Sequence, residues 1–224
     1  MRRFLRENSL GLVFGVLFLI VLVGQAIAGH AAFDQQQVTE GLPPVSMGRY
    51  LTSASFGTDV AENWQSEYLQ FFLYILLTVW LLQKGSPESK TLDDAGRESD
   101  EEQKVGEYAD ADSPAWARAR GLRQFLFANS LGLVMGAIFL GSWVTQSVAG
   151  VAAFNEEQLG SLQDPVSWSQ YVTGPDFWNR TLQNWQSELL AVGSFAVLAV
   201  YLRQRGSPES KPVGAPHADT ATEG

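Results

Sequence analysis

The pentapeptide Asn63-Trp64-Gln65-Ser66-Glu67 returns unchanged as Asn184-Trp185-Gln186-Ser187-Glu188. Around it, Phe4 to Lys90 aligns without a gap to Phe125 to Lys211 at a constant offset of 121 residues, with close to half the positions identical. The shared blocks include Asn8-Ser9-Leu10-Gly11-Leu12-Val13 with Asn129 to Val134, and Gly85-Ser86-Pro87-Glu88-Ser89-Lys90 with Gly206 to Lys211. Each copy holds an apolar run, a polar loop, the pentapeptide and a second apolar run. A chain repeated in this way is expected to fold as two like units.

The apolar runs set the environment of those units. Leu10 to Ala28 and Leu131 to Ala149 contain no formal charge. Either is long enough to cross about 30 Å of hydrocarbon as a helix rising about 1.5 Å per residue. The second members, Leu69 to Leu82 and Leu189 to Leu202, are shorter. They reach spanning length if their helices begin near Trp64 and Trp185, which would then anchor at the interface. The expectation is an all-α membrane protein with four transmembrane helices from a tandem duplication of a two-span unit, and two structured outer loops. Residues 1–90 form the first repeat and 125–211 the second. Between them, 91–124 is an acidic cytoplasmic linker with an interfacial helix near its end, and 212–224 is a disordered tail.

Charge supports one orientation. Arg2, Arg3 and Arg6 precede the first run, and Lys84, Arg203 and Arg205 follow the second and fourth. The loops between runs carry only Arg49 and Arg180 as Lys or Arg. Positive-inside bias therefore places both termini in the cytoplasm and the pentapeptides outside. The N-terminal segment also has the outline of a secretory signal, with Ala26-Ile27-Ala28 as a cleavage tripeptide. Its apolar run is longer than the usual signal core, and its internal copy starts at Asn129, so an uncleaved span is the favoured reading.

The net charge of -9 and pI near 4.7 exclude a basic face for nucleic acid. With no cysteine there is no disulfide, thiolate chemistry or Cys-containing zinc site. His30 and His217 are isolated, so a histidine metal site is not expected. No cofactor loop and no Ser, His and Asp spacing recommends an enzyme, and none is expected.

Two groups of residues stand out. Gly11 with Gly15, and Gly132 with Gly136, are Gly-x-x-x-Gly pairs that let a neighbouring helix backbone approach closely. On a helix Asn63, Ser66 and Glu67 share one side, as do Asn184, Ser187 and Glu188, because residues three and four apart are neighbours. Functionally, Glu67 and Glu188 would make a paired polar site able to share a proton or hold a cation. Structurally, Asn63 and Asn184 would cap helices while the others fix the loops; this reading is favoured. Phe33 with Phe154, Tyr50 with Tyr171, and Phe56 with Phe177 are expected to seat the loops. Short helices are expected over 46–53 and 167–171.

The Asn-Ser-Leu-Gly-Leu, Asn-Trp-Gln-Ser-Glu and Gly-Ser-Pro-Glu-Ser-Lys blocks together resemble an uncharacterised family of bacterial, largely actinobacterial, multi-pass membrane proteins of the DUF6766 kind. The resemblance covers nearly all of the chain except the linker and tail. It implies residence in the bacterial cytoplasmic membrane and carries no activity, ligand or catalytic residue with it. The leading expectation is a non-enzymatic envelope protein that binds membrane lipid, another membrane protein or a second copy of itself. The alternative is a small transporter or channel using the outer polar cluster.

Overall fold

The computed structural model describes residues 2–222. Met1 at the start of the first repeat, and Glu223 and Gly224 at the end of the tail, lie outside the described residues. Among those described, every regular element is helical. They are α1 (Arg2–Glu7), α2 (Ser9–Thr39), α3 (Met47–Leu51), α4 (Ala54–Leu77), α5 (Leu122–Ala128), α6 (Ser130–Gly160), α7 (Trp168–Val172) and α8 (Pro175–Tyr201), with a 3-10 turn at Gly106–Tyr108. Two of these, α2 and α6, are 31 residues each and contain a stretch long and apolar enough to cross a membrane.

The long apolar helices begin where local chemistry breaks the preceding turn. Asn8 ends α1 with its side-chain amide donating to the Phe4 carbonyl, and Asn129 does the same to Phe125 ahead of α6. Both helices run well past the apolar stretch into the loops, to Thr39 and Gly160. The short loop helices α3 and α7 start where Ser46 and Ser167 accept from the N–H groups of Arg49 and Gln170. At Ser167 the reciprocal bond, from its own N–H to Gln170 Oε1, completes a capping box, and Arg49 in the first loop has no acceptor to match it.

The helices that carry the pentapeptides start earlier than the apolar pattern indicates. Helix α4 begins at Ala54, behind Ser53, whose hydroxyl accepts from the Phe56 N–H. Helix α8 begins at Pro175 with Asp176 in its first turn, a residue pair suited to a helix N-terminus. Trp64 and Trp185 consequently sit inside helices. The capping role expected of Asn63 and Asn184 is excluded for the same reason: both lie turns away from a helix start.

The helices also stop early. Helix α4 ends at Leu77, well before Gly85; the Val79 carbonyl accepts from the Gly96 N–H instead of continuing the helical ladder. Past Tyr201 the Arg203 guanidinium donates to the carbonyls of Val200 and Leu202, two acceptors that a helix end leaves open. Gly85 and Gly206 take φ of 86° and 83°, so each Gly-Ser-Pro-Glu-Ser-Lys block turns through a left-handed glycine. In both blocks a serine closes the turn: Ser89 Oγ accepts from Gln83 N–H and Ser210 Oγ from Gln204 N–H, each at 2.9 Å. Lys211 is buried, its ammonium donating to the carbonyls of Pro216, His217 and Asp219. Burial, then the neighbouring Arg203, pushes its pKa down.

The linker is mostly turns. The surface helix expected from Ser113 through Arg123 is shorter than the pattern indicates. Ser113 to Ala119 forms turns, Gly121 adopts φ 65°, and helix resumes only at Leu122.

By contact, the chain divides into two compact units. One joins Met1–Ala61 with Thr145–Phe177, and the other joins Glu62–Val144 with Trp178–Gly224. In the first, Tyr50 is buried among the rings of His30, Phe33 and Phe56, at centroid distances of 5.6, 5.6 and 5.3 Å. Tyr171 is buried in the same way between Phe154 and Phe177. The loop aromatics therefore pack on one another. In the second unit the interior is built from Gln65, Ser66, Leu69, Phe139, Thr181, Ala199 and Val200.

Candidate functional site

The repeated pentapeptide lies in the second unit, on α4 and α8, and its two copies turn different faces inward. In the first copy Gln65 and Ser66 are buried while Asn63, Trp64 and Glu67 are exposed. In the second copy Asn184, Trp185 and Glu188 are half-buried while Gln186 and Ser187 are exposed. The two meet unsymmetrically. The Trp185 indole N–H donates to Gln65 Oε1 at 2.6 Å, from one helix to the other. The helix-face pattern of the sequence singles out neither residue, and it gives Trp185 the place of an interface anchor. Trp64 does occupy an exposed position.

The serines bond locally. Ser66 Oγ donates to the Asn63 carbonyl at 3.0 Å and Ser187 Oγ to the Asn184 carbonyl at 2.8 Å. Asn184 Nδ2 donates to the Arg180 carbonyl at 2.9 Å. One turn earlier, Arg180 pairs with Glu62 at 3.6 Å. The arginine is partly exposed, so this pair contributes about 0–1 kcal/mol. Glu67 lies within electrostatic reach of Glu188. The arrangement brings the two carboxylates into one neighbourhood, and the hydrogen bond that joins the two copies runs through Gln65 instead.

Around Trp185 the second unit gathers aromatic rings that the repeat pattern does not announce. Trp143 stands 5.6 Å from Trp185, 5.8 Å from Phe139 and 5.9 Å from Trp178, measured between ring centroids. Its indole N–H donates to Thr181 Oγ1 at 3.4 Å. The positions equivalent to Trp143 and Trp178 in the first repeat are Leu22 and Gly57. Gln65 is fully buried beside this cluster, and among the described residues its Nε2 has no hydrogen-bond partner. A buried amide donor left in that condition costs about 1–3 kcal/mol. Among the described residues no three His, Asp or Glu side chains converge on a metal position.

The two glycine pairs have different surroundings. A Cβ built on Gly136 would stand 2.9 Å from Phe72 Cε2, and one on Gly132 would stand 3.7 Å from Leu76 Cδ2. Helix α6 thus lays this pair against α4, with Phe72 and Leu76 one turn apart. A Cβ on Gly11 or Gly15 would meet nothing within 4 Å.

A second constellation, in the first unit, escaped the sequence pattern. Asp34 Oδ1 accepts from the Val45 N–H at 2.8 Å, and His30 Nε2 lies 2.7 Å from the Val45 carbonyl. A carbonyl only accepts, so Nε2 carries the proton. The same nitrogen is 3.5 Å from Asp34 Oδ2. In the second loop a single residue does both tasks: Asn155 Nδ2 donates to the Val166 carbonyl and its Oδ1 accepts from the Val166 N–H, at 2.9 and 2.8 Å. The signal was present in the sequence, since Asp34 replaces Asn155 where His30 replaces Val151. Nearby, burial and then Asp59 push the Tyr50 phenol pKa up.

These features define an all-helical protein with two helices long and apolar enough to cross a bilayer. The chain belongs to the family described as domain of unknown function DUF6766, which matches residues 1–222. No curated protein and no solved structure matches it.

Proposed function

We propose that this is a multi-pass protein of the bacterial cytoplasmic membrane, built by tandem duplication of a two-span unit, with both termini in the cytoplasm. It acts without catalysis, by holding membrane lipid, another membrane protein or a second copy of itself. One observation carries the membrane reading. None of the most apolar stretch of α2 is buried, and Leu10 and Val21 are 73% and 68% exposed. A helix that apolar requires a non-aqueous neighbour, and a bilayer supplies it along the whole length. The C-terminal halves of α4 and α8, which expose Phe71, Leu76, Leu77, Leu190, Phe195 and Leu198, support their assignment as the second and fourth spans. The duplication is supported by recurrence of α2, α3 and the start of α4 at the same sequence offset in α6, α7 and α8.

The test exploits the absence of native cysteine. Single cysteines introduced at Gly41, Leu162, Ala95 and Ala215 are labelled in intact and permeabilised cells with a membrane-impermeant maleimide. Labelling of the first two in intact cells and of the last two only after permeabilisation is expected. Any other pattern removes the four-span topology. Native mass spectrometry of the protein extracted with its lipid then reads what it holds; a bare monomer would remove the binding reading.

The transport alternative is supported by the proximity of Glu67 and Glu188. Solute movement by the reconstituted protein that is lost in Glu67→Gln/Glu188→Gln would establish it in place of the binding role.

A further inference from the structure

The stretch from Trp116 to Phe127, immediately ahead of α6, has a surface that the rest of the second unit does not cover. Trp116, Leu122 and Phe125 are 49%, 70% and 54% exposed. Interleaved with them are the exposed Arg118, Arg120 and Arg123. The linker before it is rich in Asp and Glu, and the two of its carboxylates that form ion pairs do so with lysines. Glu98 pairs with Lys90 and Asp110 with Lys104. Arg118 donates only to the Ser113 carbonyl, and among the described residues Arg120 and Arg123 make no ion pair. The linker touches this stretch through backbone, where the Gly106 N–H donates to the Ala117 carbonyl at 2.9 Å.

Three exposed arginines thus stand without an ion pair among the described residues, side by side with apolar groups that water solvates poorly. An anionic lipid headgroup satisfies both requirements at once. Its phosphate meets the guanidinium, and the boundary below it accepts Trp, Leu and Phe. A dissolved anion or a nucleic acid would leave the apolar half uncovered. The stretch is also continuous with α6, one of the two membrane-capable helices, which holds it near the bilayer surface.

We propose that Trp116 to Phe127 is a surface anchor for the anionic lipid headgroups of the bilayer that α6 crosses, with Arg118, Arg120 and Arg123 supplying the charge recognition. This rests on the membrane reading given above. Each arginine near an anionic leaflet adds about fivefold to the odds of the surface-bound state, an effect that weakens as salt shortens the Debye length.

The test uses the full chain with Ala119→Cys carrying a polarity-sensitive dye, in nanodiscs of phosphatidylcholine alone or equimolar with phosphatidylglycerol. The expected result is a shift of dye emission to shorter wavelength in the anionic nanodiscs, reversed by high salt. Each single Arg→Gln change should lower the bound-state odds about fivefold, and the triple change should abolish the shift. Incorporation into both nanodiscs with identical emission would overturn the anchor and leave the membrane reading intact. Failure to enter neutral nanodiscs would overturn both. A shift that survives Arg118→Gln/Arg120→Gln/Arg123→Gln would also overturn the charge-recognition assignment.

Discussion

Replacing His30 by Val, the residue at its equivalent position, should loosen the loop between α2 and α3, and adding Asp34→Asn should restore it. In the native arrangement, the Val45 carbonyl has the His30 N–H and the Val45 N–H has an Asp34 oxygen. His30→Val removes the first bond and leaves a part-buried carbonyl without that donor. An unsatisfied group of that kind costs about 1–3 kcal/mol. Local opening of the loop should therefore become about tenfold more frequent. Asp34→Asn alone should be close to neutral, since the new amide duplicates a donor already present. In the double variant, the introduced asparagine side chain can hold both groups of Val45 as Asn155 holds both groups of Val166. Opening should then return to within about twofold of the native rate, an interaction energy nearly equal to the cost of the single change.

Hydrogen exchange followed by mass spectrometry reads this directly on the peptide containing Val45. The peptide containing Val166 serves as an internal control, because its lock holds no titratable group. Exchange near Val45 should accelerate in His30→Val and slow again in the double variant, with the Val166 peptide unchanged throughout. If the double variant exchanges as fast as His30→Val, the exchange of partners between the loops is wrong. If His30→Val has no effect, the histidine carries no share of the lock.

Three further outcomes follow from packing. A methyl group on Gly29 or Gly150 would collide with the hydroxyl of Tyr50 or Tyr171, so Gly29→Ala and Gly150→Ala should each destabilise by about 1–3 kcal/mol. Tyr50→Phe and Tyr171→Phe should recover part of the loss in thermal unfolding of the detergent-solubilised protein. Gly136→Leu should lower the melting temperature, with Phe72→Ala relieving it in the double variant, whereas Gly11→Ala and Gly15→Ala should be neutral or slightly stabilising. Equal destabilisation by all the glycine changes would show that α2 has a close neighbour. Trp185→Phe should cost about 1–3 kcal/mol by leaving Gln65 Oε1 without its donor. Gln65→Leu should be close to neutral, because the Trp185 N–H it orphans is offset by loss of the unpaired Nε2; the pair together should cost less than Trp185→Phe alone.

The long helices α2 and α6, and the Pro-Val-Ser starts of α3 and α7, were legible because each rests on local information: uninterrupted apolarity, or a serine followed by a turn. The starts of α4 and α8 were harder to read. Their first turns are polar, and hydropathy points to the later apolar stretch, although Ser53 and the Gly174-Pro175 pair are local signals of a helix start. The pentapeptide was legible as a motif and illegible as a geometry. Identical residues on α4 and α8 bury Gln65 in one copy and half-bury Trp185 in the other, and only tertiary neighbours decide which face turns inward. The cluster of Trp143, Trp178 and Phe139 supplies those neighbours for the second copy. The Asp34 and His30 replacement was visible in the alignment of the two halves, but its meaning needed the Val45 and Val166 backbone to be placed.

Where the two halves differ bears on where a function would lie. The groups that shape loops and turns recur with the same partners: Tyr50 and Tyr171 beside a glycine, Ser89 and Ser210 on a backbone N–H, Gly85 and Gly206 in the left-handed region. Among the many positions that differ, two groups change the local bonding. One is the His30 and Asp34 lock against Val151 and Asn155; the other is Trp143 and Trp178 against Leu22 and Gly57. Neither departure is required by the packing, since the opposite half manages without it. A protein that served only as a symmetric scaffold would have no use for a titratable lock on one side and an indole cluster on the other. The two sites therefore join the shared Glu67 and Glu188 pair as places to test for binding, with local stability read alongside, because His30→Val by itself loosens the loop.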